Sequence, residues 1–276
     1  MLSICVKLDC AVVILLEGVF DSRLESSCES EVDWEIEKSI PTLTADVGCC
    51  VSRSIVYDNI VVRWVVLDDV VDNIVQNYPA YDYIVVNDGS RDATPDICRK
   101  RGYRFLDLPI NLGLAGAFQA GIKYALKQNY DCAIQFDADG QHLPEYLDSL
   151  VAEIGSNDIV IGSRFVSKKK PRSLRMFGNN LIQAMVKITT GVTINDPTSG
   201  MRAYNKRAIK ELATGPNLGP EPDTLSYLIK KRGMRIKEVQ VEMAERIAGE
   251  SYLNLRNSAR YMTRMAFSVL FVQFFR

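Results

Sequence analysis

The sequence has little of what a zinc or thiolate site requires. It contains a single histidine, His142, and its seven cysteines include no Cys-x-x-Cys pair. A structural zinc site takes four such ligands at short, regular spacings, so these spacings do not form a zinc framework. We interpret the cysteines as reduced, mostly buried thiols.

Long apolar runs and an excess of charge of one sign are also absent. Residues 10–20 and 265–275 are apolar stretches of eleven residues each, whereas a membrane-spanning helix needs roughly 20. The 33 basic and 34 acidic side chains give a net charge of -1, so no global basic field indicates a nucleic-acid partner and no acidic excess indicates disorder. With 276 residues and 47% apolar content, the chain is long enough to bury a globular core.

Charge and composition change near residue 67. Residues 1–67 hold 5 basic and 11 acidic side chains, which leaves 28 basic and 23 acidic side chains in the remainder. Five of the seven cysteines precede residue 68, and fifteen of the 17 glycines follow residue 85. Loops that approach phosphate use glycine for its conformational freedom, so we expect a polyanionic ligand to bind in the C-terminal part.

From residue 82, short apolar runs alternate with amphipathic stretches, a pattern that predicts an α/β fold with a mostly parallel sheet. Residues 1–55 carry no predicted element. The predicted strands are 60–66, 82–87, 103–108, 131–136, 158–162, 200–204 and 235–243. The predicted helices are 68–77, 94–101, 114–128, 144–154, 174–190 and 223–231.

Two carboxylates, Asp137 and Asp139, directly follow the strand predicted at 131–136. Parallel sheets bind ligands at the carboxyl ends of their strands, and an Asp-x-Asp pair there can hold a hard divalent cation beside phosphate oxygens. The same pattern is also typical of a polar turn in which Asp139 caps the next helix. Because hard cations prefer oxygen, we interpret His142 as a supporting residue and not as a metal ligand.

Two glycine-containing turns add to this edge. Asp88 follows the strand at 82–87 and is placed like the acidic residues that bond a ribose or base, although a simple turn has the same pattern. The small residues of 111–117 open a helix, which allows close backbone approach to a ligand or close helix-to-sheet packing.

Taken together and in order, six segments resemble the family-2 glycosyltransferases, with similarity to dolichyl-phosphate mannose synthase and the bacterial polyprenyl-phosphate glycosyltransferases. The resemblance covers about residues 70–260. It implies a glycosyltransferase A-type (GT-A) fold, a nucleotide-diphosphate sugar donor (UDP- or GDP-sugar), and Mg²⁺ or Mn²⁺. The segments are VVNDGSRDAT, NLGLAGA, IQFDADGQH, DIVIGSRF, DPTSGMRAY and ERIAGESYL.

The resemblance also implies roles for residues at the donor site. Asp137 and Asp139 would ligate the metal with Gln141 beside them, and Asp88 would contact the donor nucleotide. It implies three regions: a divergent or aberrant segment at 1–67, a GT-A catalytic domain at 68–250, and a C-terminal amphipathic helix at 251–276.

Three further residues are expected in the catalytic machinery. The resemblance implies that Arg164 approaches a donor or acceptor phosphate, that Asp196 occupies an acidic active-site position, and that Arg246 reaches an anionic substrate. A metal and arginines would stabilise the charge that develops on the leaving diphosphate. We expect an in-line displacement with inversion. A lipid-phosphate acceptor needs no strong base, whereas a hydroxyl acceptor would make Asp196 or Asp223 the base candidate.

The basic run 168–172 is typical of a solvated loop, and because it follows GSRF it is also a candidate for a mobile loop that binds the acceptor phosphate. The C-terminus carries a membrane signal. Arg256, Arg260 and Arg264 recur every four residues before the apolar stretch 265–275, which is typical of an interfacial helix near anionic head groups. We therefore expect a peripheral protein at the cytoplasmic face of a membrane with a polyprenyl-phosphate acceptor. The alternative is a helix packed on the catalytic domain or on a membrane partner subunit.

One family feature is missing. The first strand of the family normally ends in a Pro-x-Tyr-Asn-Glu-like turn that holds the nucleotide, and this sequence has none. A divergent N-terminus and an altered reading frame both account for its loss. A non-catalytic nucleotide-sugar or lipid-binding protein is therefore an alternative function. A phosphohydrolase with a carboxylate nucleophile is disfavoured by the GSRF and DPTSGMR segments.

Overall fold

A computed structural model describes residues 10–16, 69–90, 93–137, 140–171, 173–216, 218–244, 264–265 and 267–270. The strands in this part of the chain are β1 (Cys10–Leu16), β2 (Asp82–Asn87), β3 (Phe105–Asp107), β4 (Cys132–Asp137), β5 (Ile159–Ser163), β6 (Arg202–Asn205) and β7 (Ile236–Gln240). The helices are α1 (69–77), α2 (Thr94–Arg101), α3 (Gly113–Lys127), α4 (Leu147–Ile154), α5 (Leu174–Thr190), α6 (Lys206–Thr214) and α7 (Pro222–Arg232), with a 3-10 turn at Pro144–Tyr146.

The described strands form one sheet in the order β3-β2-β1-β4-β6-β5-β7. Strands β1 to β4 pair in parallel, as do β5 and β7, and only β6 runs antiparallel to its neighbours β4 and β5. The predicted α/β class with a mostly parallel sheet is therefore confirmed. Such a sheet gathers the carboxyl ends of its parallel strands at one edge.

Strand β1 lies in the middle of this sheet, between β2 and β4. Its sequence, CAVVILL, is a continuous apolar run, as expected for a parallel strand covered on both faces. Leu15 is in register with Asp137 and Leu16 with Asn87. Residues 1–55, to which the sequence pattern assigns no element, thus contain the central strand of the sheet, which lies N-terminal to the domain expected at 68–250. The strand predicted at 60–66 lies outside the described residues.

Helices cover both faces of the sheet and form two core layers. Successive residues of β1 point to opposite layers, because side chains alternate along a strand. One layer contains α3, α5, α6 and α7, with buried side chains such as Val13, Phe118, Ile182, Leu212 and Leu228. The other contains α1, α2 and α4, with Val12, Ile74, Cys98, Ile134 and Leu150.

Capping residues explain several helix ends. The Ser173 hydroxyl accepts a hydrogen bond from Met176 N at 3.3 Å and begins α5, which satisfies a backbone donor left free at a helix start. Helix α7 ends at Gly233 with φ of 59°, a left-handed conformation that glycine adopts without strain.

From residue 82, the predicted elements agree closely with those observed. The largest difference is three residues at the end of β7, predicted to reach Met243 and observed to end at Gln240. Helix α6 is the exception, because no helix was predicted at 206–214. Its signals are nonetheless clear: Asn205 accepts a hydrogen bond from Ala208 N at 2.9 Å, and Ile209 and Leu212 share one buried face.

The described C-terminal residues are helical and pack on the core of the sheet domain. Met265 and Val269 are buried in the layer that contains α3, α5 and α7, and Ser268 donates a hydrogen bond to Asp223. These contacts agree with the alternative of a helix that packs on the domain, and not with a helix that lies free at a membrane interface. None of the helices in the described part of the chain is long and apolar enough to cross a membrane.

Candidate functional site

Three polar side chains of the predicted site lie along the same edge of the sheet, the one formed by the carboxyl ends of the parallel strands. Asp137 is the last residue of β4, Asp88 follows β2, and Arg164 follows β5. Because parallel strands present these ends side by side, the topology brings distant parts of the sequence to one edge.

The backbone and side chain of Asp137 are held by His142. The Asp137 N–H donates to His142 Nδ1 at 2.9 Å, and His142 Nε2 lies 3.7 Å from Asp137 Oδ2. The imidazole is buried and meets the Phe136 ring edge to face at 5.3 Å. Since Nδ1 accepts, the proton sits on Nε2 and faces the carboxylate. This geometry agrees with a supporting role for His142.

Gly200 makes room for the Asp137 carboxylate. A Cβ atom at position 200 would lie 2.5 Å from Asp137 Oδ2 and 3.2 Å from His142 Cε1. Any larger residue there would push the carboxylate away from this position. The small residue in the segment DPTSGMR is thus explained by a contact with the strand end of β4.

Asp137 opens into a cavity of about 160 Å³. The Asp137 side chain is 37% exposed, so it reaches both the cavity and solvent. The wall combines hydroxyl, amide and carboxylate groups with small residues: Leu114, Gln135, Asp137, Thr198, Ser199, Gly200, Pro220, Glu221 and Pro222.

Glu221 is the second carboxylate of this cavity, and sequence reasoning missed it. Burial, together with the charge of Asp223, raises the pKa of Glu221 above its ordinary value of 4.5. A Cβ atom at Gly219 would lie 2.1 Å from Glu221 Oε2, so glycine at 219 is required for this side-chain position. The flanking Pro220 and Pro222 were the available sequence signal, because they fix the backbone around Glu221.

Asp223 is not a wall residue of the cavity. Its Oδ1 accepts from Thr224 N at 2.8 Å, and its Oδ2 accepts from the Ser268 hydroxyl. Its carboxylate therefore lies in the first turn of α7 and contacts the C-terminal helical residues. In the Glu-Pro-Asp segment, the carboxylate that lines the cavity is that of Glu221.

Arg164 and Asp196 form a bidentate ion pair. Arg164 Nε donates to Asp196 Oδ2 at 2.7 Å, and Arg164 Nη2 donates to Oδ1 at 2.9 Å. Asp196 is 0% exposed, while the Arg164 side chain is 30% exposed. Burial by itself lowers the pKa of Arg164, but the hydrogen bonds and charge of Asp196 outweigh it and raise that pKa. The pair therefore holds the guanidinium in one orientation, with the carboxylate enclosed and the Arg164 side chain partly exposed.

The loop that carries Asp196 is fixed from two sides. Glu238 accepts hydrogen bonds from Asp196 N at 2.8 Å and from Asn195 N at 2.8 Å. Arg202 is buried and donates to Ser199 O and to Pro197 O, each at 2.8 Å. The Asp196 carboxylate is thus fixed by its neighbours, which favours a role in positioning Arg164 over a role as a general base.

Asp88 is also held by the backbone. Its carboxylate is buried and accepts from Leu112 N at 2.7 Å. Gly89 has φ of +63°, and a Cβ atom there would lie 2.5 Å from the Ile110 carbonyl carbon. Asp88 therefore joins the turn after β2 to the loop before α3. A polar cleft of about 550 Å³ opens beside this junction, between Ser90, Arg99 and Asn111.

The described residues fit part of a divalent-cation site. Carboxylate oxygens are ligands that Mg²⁺ and Mn²⁺ accept, and Asp137 places them on a polar cavity. Within the described ranges no group of three or more His, Cys, Asp or Glu side chains is arranged to hold a metal. Gln141 follows Asp137 by four residues, and its backbone carbonyl accepts a hydrogen bond from Ala244 N at 3.0 Å. Asp139 and Arg246 lie outside the described residues.

Comparison with known proteins links this geometry to one family. The family model for glycosyl transferase family 2 matches residues 56–213, a range that contains Asp88, Asp137, Arg164 and Asp196. Strand β1 lies outside the matched range.

Curated relatives match over much of their length. An undecaprenyl-phosphate mannosyltransferase of Micrococcus luteus is 32% identical over 191 residues, covering 64% of this chain and 77% of the relative. A polyprenol monophosphomannose synthase of Mycolicibacterium smegmatis is 26% identical over 206 residues, covering 68% of this chain and 76% of the relative.

A solved structure agrees in fold. Glucosyl-3-phosphoglycerate synthase from Mycobacterium tuberculosis, crystallised with Mn²⁺ and uridine-diphosphate-glucose, aligns with a TM-score of 0.58 at 16% identity. The alignment covers 96% of this chain and 79% of that chain. The predicted GT-A fold is thereby confirmed.

Proposed function

The chain belongs to glycosyl transferase family 2, and we propose that this enzyme moves a sugar, with inversion, from a nucleotide-diphosphate sugar to a polyprenyl phosphate. The names of relatives support the acceptor class, because they include an undecaprenyl-phosphate mannosyltransferase and a dolichyl-phosphate hexose transferase of Haloferax volcanii. The donor is a UDP- or a GDP-sugar.

The observation that carries the proposal is the pairing of charges at the sheet edge. Asp137 supplies negative charge on the cavity, and Arg164, held by Asp196, supplies a cationic hydrogen-bond donor at the carboxyl end of β5, on the far side of the antiparallel strand β6. A diphosphate that carries a sugar needs both, since its metal requires oxygen ligands and its phosphates require cationic donors.

A Mg²⁺ or Mn²⁺ ion fits the donor chemistry of this edge. Asp137 would hold it together with Asp139 and Gln141. When bound, such an ion supplies positive charge that stabilises the leaving diphosphate.

The residues of the chain have separate tasks in the proposed transfer. Arg164 donates hydrogen bonds to a phosphate of donor or acceptor, and Asp196 positions its guanidinium. Arg246 contacts the anionic substrate from the segment beyond β7. Asp88 fixes the loop beside the donor nucleotide by its bond to Leu112 N. The cavity between Asp137 and Glu221 takes the sugar, whose hydroxyls match its polar wall.

An acceptor phosphate makes a strong base unnecessary. It is ionised near neutral pH and attacks the anomeric carbon directly from the side opposite the leaving diphosphate, which inverts the configuration. The enclosed Asp196 agrees with this, because both of its oxygens accept hydrogen bonds from Arg164 and it positions that guanidinium. A polyprenyl acceptor also implies a peripheral location at the cytoplasmic face of a membrane.

Calorimetric titration with UDP and with GDP, each with and without Mn²⁺, tests the donor half of this proposal. We expect metal-dependent binding of one nucleotide, which names the donor class. Folded protein that binds neither nucleotide would contradict the donor site.

A further inference from the structure

Helix α5 exposes an apolar stripe to solvent. Phe177 and Ile188 are 71% and 77% exposed, and Leu181 and Ala184 are also exposed. These residues follow spacings of four, three and four, so they lie on one face of the helix. The stripe is about 16 Å long at 1.5 Å per residue. Exposed apolar residues in such a row mark an interaction surface.

The stripe lies opposite the face of α5 that packs on the sheet. Ile182 and Val186 of the same helix are buried in the core, so the core does not require Phe177 or Ile188. No packing argument within the described part of the chain accounts for a phenylalanine and an isoleucine in solvent on one row.

The segment that carries the stripe is basic. From Arg164 to Val192, both included, the sequence contains seven basic residues and no acidic residue. Lys169, in the loop before the helix, and Lys187, in its last turn, are exposed. An apolar row with a cationic rim matches a bilayer surface with anionic head groups, where each lysine or arginine contributes attraction.

The same helix contacts the catalytic edge on its inner side. Asn179 Nδ2 lies 3.4 Å from Asp196 Oδ1, and Gln183 Nε2 donates to Asn195 Oδ1 at 3.2 Å. Lys170, in the loop after Arg164, donates to Gln183 Oε1 at 2.8 Å. A surface bound to the outer face of α5 therefore lies one helix diameter from the Arg164–Asp196 pair.

We propose that α5 is the face on which this protein docks to an anionic membrane, with Phe177, Leu181 and Ile188 inserted among the head groups. This inference rests on the proposed function in one respect: a lipid acceptor is delivered from that surface. It moves the membrane contact from the C-terminal residues, where Met265 and Val269 are buried, to α5.

Charge favours a membrane over a second copy of the chain. A symmetric dimer through α5 would place the same basic rim of both copies together, and like charges at one interface repel. Anionic head groups neutralise that rim instead.

Sedimentation with vesicles of phosphatidylcholine and phosphatidylglycerol tests the proposal without donor or acceptor. The variant Phe177→Ser/Ile188→Ser is compared with Val75→Ser, an exposed apolar position on α1. We expect the double variant to lose vesicle affinity at least about tenfold, because two apolar side chains no longer leave water. The control should bind like the wild type, and added salt should weaken binding.

Thermal unfolding shows whether each variant keeps its fold, and a third variant, Phe267→Ser, tests the exposed C-terminal phenylalanine. Equal binding by wild type and the double variant would overturn the proposal, as would wild type that ignores anionic vesicles. Loss of binding in Phe267→Ser alone would also overturn it. A wild-type protein that is dimeric, with a double variant that is monomeric, would overturn it as well. Nucleotide titration of the same preparations separates a failed donor site from a failed docking face.

Discussion

Arg164 donates two hydrogen bonds to the carboxylate of Asp196, from Nε to Oδ2 at 2.7 Å and from Nη2 to Oδ1 at 2.9 Å. Because only a guanidinium forms this fork, lysine cannot replace it. We expect Arg164→Lys and Asp196→Asn to lower sugar transfer by about 100-fold, as small misplacements of a charged group at a reacting centre do. Radiometric transfer assays measure this.

The matched control is Arg232→Lys. Arg232 also forms an ion pair, with Glu211, but its side chain is 48% exposed. Exposed pairs contribute little, so Arg232→Lys should keep both activity and stability. Full transfer activity in Asp196→Asn would contradict the positioning role of Asp196.

Asp137→Asn should abolish metal-dependent nucleotide binding while the fold remains. The amide keeps the shape of the side chain but loses the negative charge that a divalent cation requires. Calorimetry with UDP and GDP in the presence of Mn²⁺ measures the loss. The control is Asp131→Asn, at the other end of the same strand, where the exposed carboxylate pairs with Lys206. If Asp137→Asn bound nucleotide and Mn²⁺ as well as Asp131→Asn does, Asp137 would not be a residue of the metal site.

Glu221→Gln should stabilise the protein at neutral pH. Burial and the charge of Asp223 raise the pKa of Glu221, so the folded state favours the neutral carboxyl. Stability from this preference is complete below the ordinary value of 4.5 and is lost as pH rises through the raised pKa. Glutamine stays neutral, so its advantage in free energy of unfolding should grow with pH. Chemical denaturation at several pH values measures this.

For Asp158→Asn we expect the opposite dependence of stability on pH. Burial alone would raise the pKa of Asp158, but the Arg235 N–H, Asn205 and Arg207 outweigh it and lower that pKa. The stability that this carboxylate provides is present above its ordinary value of 3.8 and is lost as pH falls. The deficit of the Asn variant should therefore shrink in acid. Parallel pH profiles for both variants would contradict the two assignments.

A substitution at Gly121 tests the central place of β1. A Cβ atom at Gly121 would lie 2.3 Å from Val13 Cγ1, so Gly121→Ala should destabilise the fold by about 1–3 kcal/mol through overpacking. Val13→Ala in the same chain should relieve this, giving a coupling of about 0.5–3 kcal/mol. Gly155→Ala is the control, since nothing lies near its Cβ position. Stabilisation by Gly121→Ala, as helix propensity alone predicts, would place β1 elsewhere.

The sequence predicts the sheet from β2 onward because apolar runs, glycine turns and helix caps recur at regular spacing. It did not predict β1, because a central parallel strand is a plain apolar run that resembles any buried segment. Residues 10–16 also stand in a cysteine-rich and acidic stretch whose composition contrasts with the rest of the domain.

The sequence predicts carboxylates and an arginine that lie at the site, but it does not predict how they contact one another. The sequence marks Asp137 and Arg164 through their motifs, while the bidentate contact of Arg164 with Asp196 joins residues 32 positions apart. Glu221 enters the cavity only because Gly219 leaves space for it. Likewise, the sequence predicts α5 as a helix, but apolar residues on two of its faces do not reveal that Phe177 and Ile188 face outward.

The most direct test of the account is sugar transfer itself. The purified chain is incubated with radiolabelled UDP- and GDP-sugars, polyprenyl phosphate and Mn²⁺, and the lipid fraction is extracted. The account predicts that label from one donor class enters the lipid fraction with wild type and Asp131→Asn, and not with Asp137→Asn. Absence of labelled lipid with every donor, or equal labelling by Asp137→Asn and wild type, would contradict it.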